Sequence, residues 1–244
     1  MKMAKIALDT NIWIYLTKDT FHELWVKLKN EQEIGNLEII VPDIILQEWD
    51  RNKSQTIKAL TTTIKAEYNS ALKLKEYLPK EEQSRLVEIL SSYNDETTRI
   101  KMAKDKVQAI EYFMKSCTIV ETTDEQKLYI ANLAIAKLPP FQNNKNNFND
   151  SLVIRNIAEY INNTFEVEPD LLYVSNNPND FINKKTGDIY SELLKDLEHI
   201  RIKNVSELGE ALKLAPEFID SLDSWLEMQL DNEAMHQLDI MRGK

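Results

Sequence analysis

The stretch Ala4-Lys5-Ile6-Ala7-Leu8-Asp9-Thr10-Asn11 combines a short apolar run with an acidic residue at its end. The run has the length and composition of a buried strand, and a helical pattern follows from Ile12. A carboxylate at the end of a strand, or in the helix that follows it, lies at the carboxyl edge of a parallel sheet, where such sheets bind ligands. The sequence therefore predicts a functional position for Asp9.

Strand patterns alternate with helical patterns along the rest of the chain. After the first strand at residues 4–8, further strands are predicted at 37–41, 117–120, 171–175 and 200–202. Helices are predicted between them, including one over 190–197 and a helical tail over 205–214 and 216–230. This alternation predicts an α/β fold with a parallel sheet of four to five strands, flanked by helices and connected by right-handed crossovers.

A wholly helical segment, residues 51–116, interrupts this alternation. One of its helices carries an apolar stripe at helical spacing, which we interpret as a packing face: Ile100, Ala103, Val107, Ile110 and Met114. The predicted organisation is therefore a core formed by residues 1–50 and 117–203, a helical insertion at 51–116, and a C-terminal helical extension at 204–244.

Composition narrows the class of protein. The chain has 244 residues, a formal net charge of −10 and a single cysteine, Cys117, which lies in an apolar run and is interpreted as a core residue. The negative charge argues against non-specific coating of nucleic acid, although it does not exclude a nuclease. No apolar run approaches the ~20 residues of a membrane helix, so we expect a cytoplasmic protein that does not bind membranes.

Four acidic residues occur next to apolar residues, in settings where strands end or helices begin: Asp9, Glu48, Asp150 and Asp180. Carboxylate oxygens are hard ligands that suit Mg²⁺ or Mn²⁺. The sequence contains no histidine and cysteine cluster for zinc and no glycine-rich phosphate loop. A site of this composition suits the hydrolysis of a phosphodiester by a water that the metal activates.

The alternative interpretation of each acid is structural. In a chain with 40 acidic residues, any one of them can be a solvated surface residue or a helix cap, and Asp150 and Asp43 are candidates for caps. The case for a site rests on all four acids falling on the same predicted edge of the sheet.

Several motifs in order along the chain resemble the PIN-domain nucleases, in particular the larger bacterial PIN-like proteins with a helical insertion. The resemblance covers roughly residues 4–50 and 117–203, and these motifs carry it: Ile-Ala-Leu-Asp9-Thr-Asn11, Val-Pro-Asp-Ile-Ile-Leu-Gln-Glu48-Trp, Pro139-Pro140-Phe141, Phe148-Asn-Asp150-Ser-Leu-Val-Ile and Tyr-Val-Ser175-Asn-Asn177-Pro-Asn-Asp180-Phe181. It implies a parallel sheet flanked by helices and a metal-dependent endoribonuclease activity.

The resemblance also implies roles for individual residues. Asp9, Glu48 and Asp150 correspond to the three core acids of the metal site. Asn11 corresponds to a polar partner that orients water or ligand, and Ser175 to a hydroxyl that supports the site.

The fourth acidic position departs from the family pattern. Many small PIN proteins carry an acid where this chain has Asn177, whose carbonyl can coordinate but carries no charge. Asp180, three residues further on, is the nearest replacement, so the number of metal ions, one or two, stays open.

The insertion carries basic residues that have two interpretations. They guide an RNA backbone toward the acidic edge, or they form ordinary solvated helix faces that pair with neighbouring acids. The residues concerned are Lys101, Lys104 and Lys106 beside Arg99 on one helix, and Lys53, Lys58 and Lys65 on an earlier one.

The leading functional hypothesis is a Mg²⁺- or Mn²⁺-dependent nuclease that acts on RNA, with a toxin-like or defence role and with DNA as an open substrate. The first alternative is a non-catalytic PIN-like scaffold that binds RNA or a protein partner. A weaker alternative is a metal-dependent phosphatase, which the sequence disfavours because it has no phosphate loop. An inhibitor or regulatory protein and a second copy of the chain are the further partners expected.

Overall fold

A computed structural model of the chain describes residues 3–143, 147–164, 170–197 and 200–215. Its five strands form one sheet in the spatial order β3-β2-β1-β4-β5, and every neighbouring pair is parallel. The strands are β1 (Ala4–Leu8), β2 (Leu37–Pro42), β3 (Thr118–Val120), β4 (Asp170–Val174) and β5 (Arg201–Val205). The predicted α/β fold with a parallel sheet flanked by helices is confirmed.

Seven α-helices connect these strands within the described residues. They are α1 (Thr10–Leu16), α2 (His22–Glu33), α3 (Asp43–Lys73), α4 (Lys80–Leu90), α5 (Glu96–Ser116), α6 (Asp124–Ile135) and α7 (Phe148–Thr164). Residues 208–215 are also helical. Within the described ranges, none of the helices has an apolar stretch that could span a lipid bilayer.

The central strand shows why the sequence forms this sheet. All five residues of β1 are buried, because helices cover a parallel sheet on both faces and its strands then need apolar residues at every position. Helix α7 supplies much of that cover, and its buried apolar residues recur at helical spacing: Leu152, Val153, Ile154, Ile157, Ala158 and Ile161.

The insertion packs against the core through α5. Four residues of its predicted packing stripe, Ala103, Val107, Ile110 and Met114, are buried in the main hydrophobic cluster, whereas the fifth, Ile100, is only partly buried and lies outside that cluster. Helix α3 continues without a break past residue 51, where the insertion was expected to begin. The domain boundaries stay a prediction, and residues 216–244 of the expected C-terminal extension lie outside the described residues.

Two predictions near the C-terminus are wrong. The helix expected over 190–197 is only a 3₁₀ turn, Ser191–Leu193. Buried Arg155 accounts for this, because its guanidinium donates to the carbonyl oxygens of Leu193 (3.3 Å) and Lys195 (2.7 Å), and Asp196 has a left-handed backbone with φ of 65°. The helical tail does not begin at Val205, which ends β5 beside β4.

Two acidic residues do not have the capping role considered for them. Helix α7 begins at Phe148, so Asp150 lies inside its first turn rather than at the cap position. Asp43 is the first residue of α3 and accepts hydrogen bonds from the backbone N–H (3.1 Å) and the hydroxyl of Thr122. Asp43 therefore joins the start of α3 to the segment that follows β3.

Candidate active site

Asp9 lies at the carboxyl edge of the sheet because β1 and β4 end together. Leu8 pairs with Val174, so the residues that follow these strands, Asp9 and Ser175, are neighbours. The backbone N–H of Asp9 donates to the carbonyl of Val174 (2.9 Å), and the Ser175 hydroxyl donates to Asp9 Oδ2 (2.8 Å). Both side chains are buried, so Asp9 is fixed in one orientation.

Burial is the main influence on the ionisation of Asp9. It raises the pKa of the carboxyl, and the charge of Glu48 raises it further. The hydrogen bond from Ser175 and the backbone N–H groups of Asn11 and Thr10 lower the pKa, although neither N–H forms a well-aligned capping hydrogen bond. Burial prevails, because desolvation disfavours the charged form more than these donors favour it.

The structure places the backbone of Asn11 beside Asp9 and leaves its side chain exposed. The predicted role of Asn11 in orienting a water or ligand stays a prediction.

Glu48 extends toward the same edge from the second turn of α3. The hydroxyl of Thr10 donates to its Oε2 (2.7 Å), and the side-chain amide of Asn149 donates to its Oε1 (2.8 Å). Arg51, one turn further along α3, lies 3.8 Å from Oε1. These contacts connect α3 to α1 and to α7, and they hold both carboxylate oxygens of Glu48.

Asp150 has the most perturbed ionisation of the four acids. Desolvation by burial, followed by repulsion from Asp9, Asp180 and Glu48, raises the pKa of its carboxyl to about 6. Only its own backbone N–H lowers the pKa of this carboxyl, and no other described residue donates a hydrogen bond to it. Asp150 is therefore a half-buried carboxylate beside three other acids, with little to stabilise its charge.

The loop after β4 supplies the fourth acid. Asp180 ends a short 3₁₀ helix, Pro178–Asp180, and accepts a hydrogen bond from the side-chain amide of Asn177. The backbone N–H of Asn177 donates to Ser175 Oγ (3.2 Å). The neutral residue at the fourth family position therefore contacts both the supporting serine and the nearby acid.

These acids come from four separate segments, and their charges affect one another. Asp150 is influenced by the other three, and fully buried Tyr173 of β4 is influenced by Asp9, Asp150 and Glu48. Burial, with those charges, raises the pKa of Tyr173 well above its usual value, so its hydroxyl stays protonated. We call the set of Asp9, Glu48, Asp150 and Asp180 the acid rim.

The chemistry of the acid rim fits a hard divalent cation. Carboxylate oxygens are the preferred ligands of Mg²⁺ and Mn²⁺, and hydrogen-bonded carboxylates such as Asp9 and Glu48 are usual in metal sites. Within the described residues, however, no three His, Cys, Asp or Glu side chains are already arranged around a common point that could hold a metal ion. Thr10 and Asn149 occupy the oxygens of Glu48, which would have to exchange a partner for the cation.

Two residues at the rim were missed by sequence reasoning, Thr10 and Asn149. Each is adjacent in sequence to an acid that was identified, Asp9 and Asp150 respectively. Their partner, however, is Glu48, 38 positions from Thr10 and 101 from Asn149. The only signal in the sequence that could have identified Thr10 and Asn149 is that each lies next to a candidate acid.

Part of the basic strips on the insertion has a structural role. Arg99 is buried and donates to the carbonyls of Tyr93 (2.6 Å) and Asn94 (2.7 Å). Lys53 and Lys106 form ion pairs with acids on other elements of the chain, Glu111 and Asp19 respectively. The remaining members of the strips are exposed: Lys58, Lys65, Lys101 and Lys104. Their predicted contact with nucleic acid stays a prediction.

The burial of Cys117 agrees with its interpretation as a core residue. Its thiol is buried, and desolvation raises its pKa to about 12. The reactive thiolate is therefore scarce at neutral pH, as expected of a residue with no part in catalysis.

Comparison with known proteins links this geometry to a family. The family profile described as the PIN domain matches residues 6–181, which include every member of the acid rim. No curated protein and no solved structure matches the chain.

Proposed function

This chain belongs to the PIN domain family, whose members are typically metal-dependent nucleases, and we propose that it hydrolyses phosphodiester bonds in RNA. The observation that carries the proposal is the acid rim, where burial and three neighbouring carboxylates raise the pKa of Asp150 to about 6. Such a concentration of negative charge opposes folding, and a cation bound there would remove the repulsion. RNA is proposed rather than DNA on the family resemblance alone.

The carboxylates of the acid rim would hold Mg²⁺ or Mn²⁺. When bound, such an ion lowers the pKa of a water and neutralises charge on the phosphate. Asp9 and Asp150 contribute oxygens from the end of β1 and the first turn of α7, and Glu48 and Asp180 contribute from α3 and the loop after β4. A nucleophilic side chain is not required, since the attacking group is water.

Neutral residues around the rim orient these acids. The hydroxyl of Ser175 fixes Asp9, while Thr10 and Asn149 fix Glu48 from two different helices. Such partners commonly set the affinity of a site for its metal, because they fix the direction in which each carboxylate points.

The proposal is tested by incubating the protein with a mixed pool of structured and unstructured RNAs, with matched DNAs as competitors. Each reaction contains EDTA, Mg²⁺ or Mn²⁺, and the cut ends are mapped. We expect divalent-dependent cleavage that Asp9→Asn and Asp150→Asn each abolish while circular dichroism shows a retained fold. Asp105→Asn, a change at an exposed aspartate of α5, is the matched control and should leave cleavage unchanged. Full activity of either rim variant would refute the assignment.

A non-catalytic scaffold is the second candidate, and the contact between Asn177 and Asp180 is the observation that favours it. Asn177 is neutral where many small PIN proteins carry an acid, and its amide occupies an oxygen of Asp180. Calorimetric titration with Mn²⁺ separates the two candidates, since a scaffold with a decayed site should show no specific heat of binding. A regulatory or inhibitor protein, a second copy of the chain and an effector role stay predictions.

A further inference from the structure

A cavity lies just beyond the carboxyl ends of β4 and β5, the edge of the sheet that carries the acid rim. It has a volume of about 360 Å³ and lies between α1, α2 and the segments that follow β4 and β5. Two of its lining residues connect it to the rim. Ile12 is three residues beyond Asp9, about one turn of α1, and Asn176 directly follows Ser175.

An aromatic pair forms part of the cavity wall. The rings of Tyr15 and Phe21 are stacked, with centroids 5.8 Å apart and an interplanar angle of 14°. The ammonium group of Lys18 lies 4.7 Å from the centre of the Tyr15 ring. Asn176 Nδ2 donates to the Tyr15 hydroxyl (3.2 Å), which fixes the ring relative to the loop that carries Ser175.

The rest of the wall combines apolar and polar groups. Leu16, Leu24 and Leu208 supply apolar surface, while Ser206 and Glu207 supply groups that can form hydrogen bonds. A flat, aromatic molecule with polar edges matches such a wall, because its faces need apolar or aromatic contact and its edges need hydrogen-bond partners.

We infer that this cavity binds one nucleobase of a single-stranded RNA whose neighbouring phosphate lies at the acid rim. The inference deepens the proposed function and rests on it for the placement of the phosphate. Stacking on aromatic side chains is how proteins bind single strands with little dependence on sequence. Lys18, which does not itself line the cavity, holds a positive charge over the Tyr15 ring, close enough to attract the backbone of a bound strand.

The same geometry disfavours a duplex substrate. A paired base is stacked between its neighbours and reaches a side pocket only after it leaves the helix, which costs unstacking and unpairing energy. A base in a single strand pays much less of this cost. The cavity therefore selects loops, ends and unpaired segments of RNA.

The test is a binding scan with RNA that lacks one base at a time. Fluorescence anisotropy measures the affinity of the full chain for a short single-stranded RNA and for versions with one abasic residue at each position. The scan is run in EDTA and in Ca²⁺. We expect a loss of affinity of roughly 5- to 100-fold at one or two adjacent positions, the range typical of a lost base–aromatic stack.

Variants connect that position to the cavity. In Tyr15→Leu we expect weaker binding of the intact RNA and no further loss at the sensitive position, because the two changes remove the same contact. Tyr15→Phe keeps the ring but loses the hydroxyl that Asn176 contacts, so it should bind less weakly than Tyr15→Leu and still show the sensitive position. Tyr77→Leu is the control, because Tyr77 lies in the insertion and is 85% exposed. This variant should lose affinity for the same abasic RNA as the unmodified protein does. If Tyr15→Leu does not fold, Phe21→Leu is used in its place, because it removes the other ring of the same stacked pair.

Each outcome decides the matter. Equal binding of all abasic RNAs, no binding of single strands, or an unchanged sensitive position in Tyr15→Leu overturns the inference. A base-dependent loss that Tyr15→Leu abolishes supports it. Cleavage is measured separately with Mn²⁺, so the two proposals fail in different ways: base-dependent binding without cleavage removes the nuclease proposal, and cleavage without base-dependent binding removes the pocket.

Discussion

Replacing Asp150 by asparagine should stabilise the protein in the absence of divalent cations. The change keeps the shape of the side chain and removes a charge that burial and three other carboxylates oppose. Asp150, in the first turn of α7, would then be required for the proposed activity and at the same time destabilise the folded protein.

The magnitude follows from the ionisation of Asp150. Its pKa rises from 3.8 to about 6 on folding, and about 2 units at about 1.4 kcal/mol each give about 3 kcal/mol as an upper limit. Water at the half-buried site reduces this value. The charge also interacts favourably with the N-terminus of α7, which offsets about 0.3–1 kcal/mol. We expect a net stabilisation of about 1–2 kcal/mol in Asp150→Asn at pH 7.5.

The sign of the pH dependence follows from the direction of the shift. A carboxyl whose folded pKa lies above its unfolded pKa binds more protons in the folded state, so stability falls as pH rises from about 4 to about 6. The stabilising effect of Asp150→Asn should therefore be complete above this window. Below it, both proteins carry a neutral side chain at position 150 and should differ little.

The assay is urea unfolding followed by circular dichroism, at pH 7.5 and near pH 4, in EDTA and in Mn²⁺. Mn²⁺ should stabilise the unmodified protein by about 2.7 kcal/mol at 100 times its dissociation constant, and it should have little effect on Asp150→Asn. Asp105→Asn controls for removing one negative charge from an exposed position. An Asp150→Asn protein no more stable than the parent at pH 7.5 in EDTA would refute the reasoning.

Four further predictions concern residues at the rim, in the core and on the surface. Ser175→Ala removes the donor to Asp9 and should weaken Mn²⁺ binding by about 10- to 100-fold, as measured by calorimetry. Arg155→Met should destabilise the protein by about 3 kcal/mol in urea unfolding, because it leaves the carbonyl of buried Leu193 unpaired and removes the ion-pair partner of Glu159. Lys127→Met, which breaks a solvent-exposed ion pair with Asp124, should leave the urea midpoint unchanged within experimental error. Cys117, with its pKa near 12, should resist a thiol reagent at pH 8 until urea unfolds the chain; rapid modification of the folded protein would contradict its burial.

Local sequence patterns predicted the strands well where burial alone determines them. The apolar runs at 4–8 and 37–41 form β1 and β2 almost to the residue, because a strand covered on both faces needs apolar side chains throughout. The segment 190–197 was predicted as a helix and is not one. Its conformation depends on Arg155, which belongs to another helix and bonds to its carbonyls.

The candidate site was likewise predictable from the sequence only in part. Sequence alone singled out Asp9, Glu48, Asp150 and Asp180, because each lies beside an apolar run that ends near one edge of a parallel sheet. It did not show that Thr10 and Asn149 hold Glu48, since such contacts join positions far apart in the chain.

The sequence by itself determined the alternation of strands and helices, the order of the motifs and the identity of the acids, because these depend on side-chain chemistry and local periodicity. Only the tertiary structure decided how strongly those acids affect one another, since the pKa of Asp150 depends on its burial and on three charges from other segments. It alone also brought the Tyr15 ring, which is stacked on Phe21, into contact with Asn176 in the wall of the cavity beyond β4 and β5. Both results depend on how distant segments pack together, and the spacing of residues along the chain does not reveal that packing.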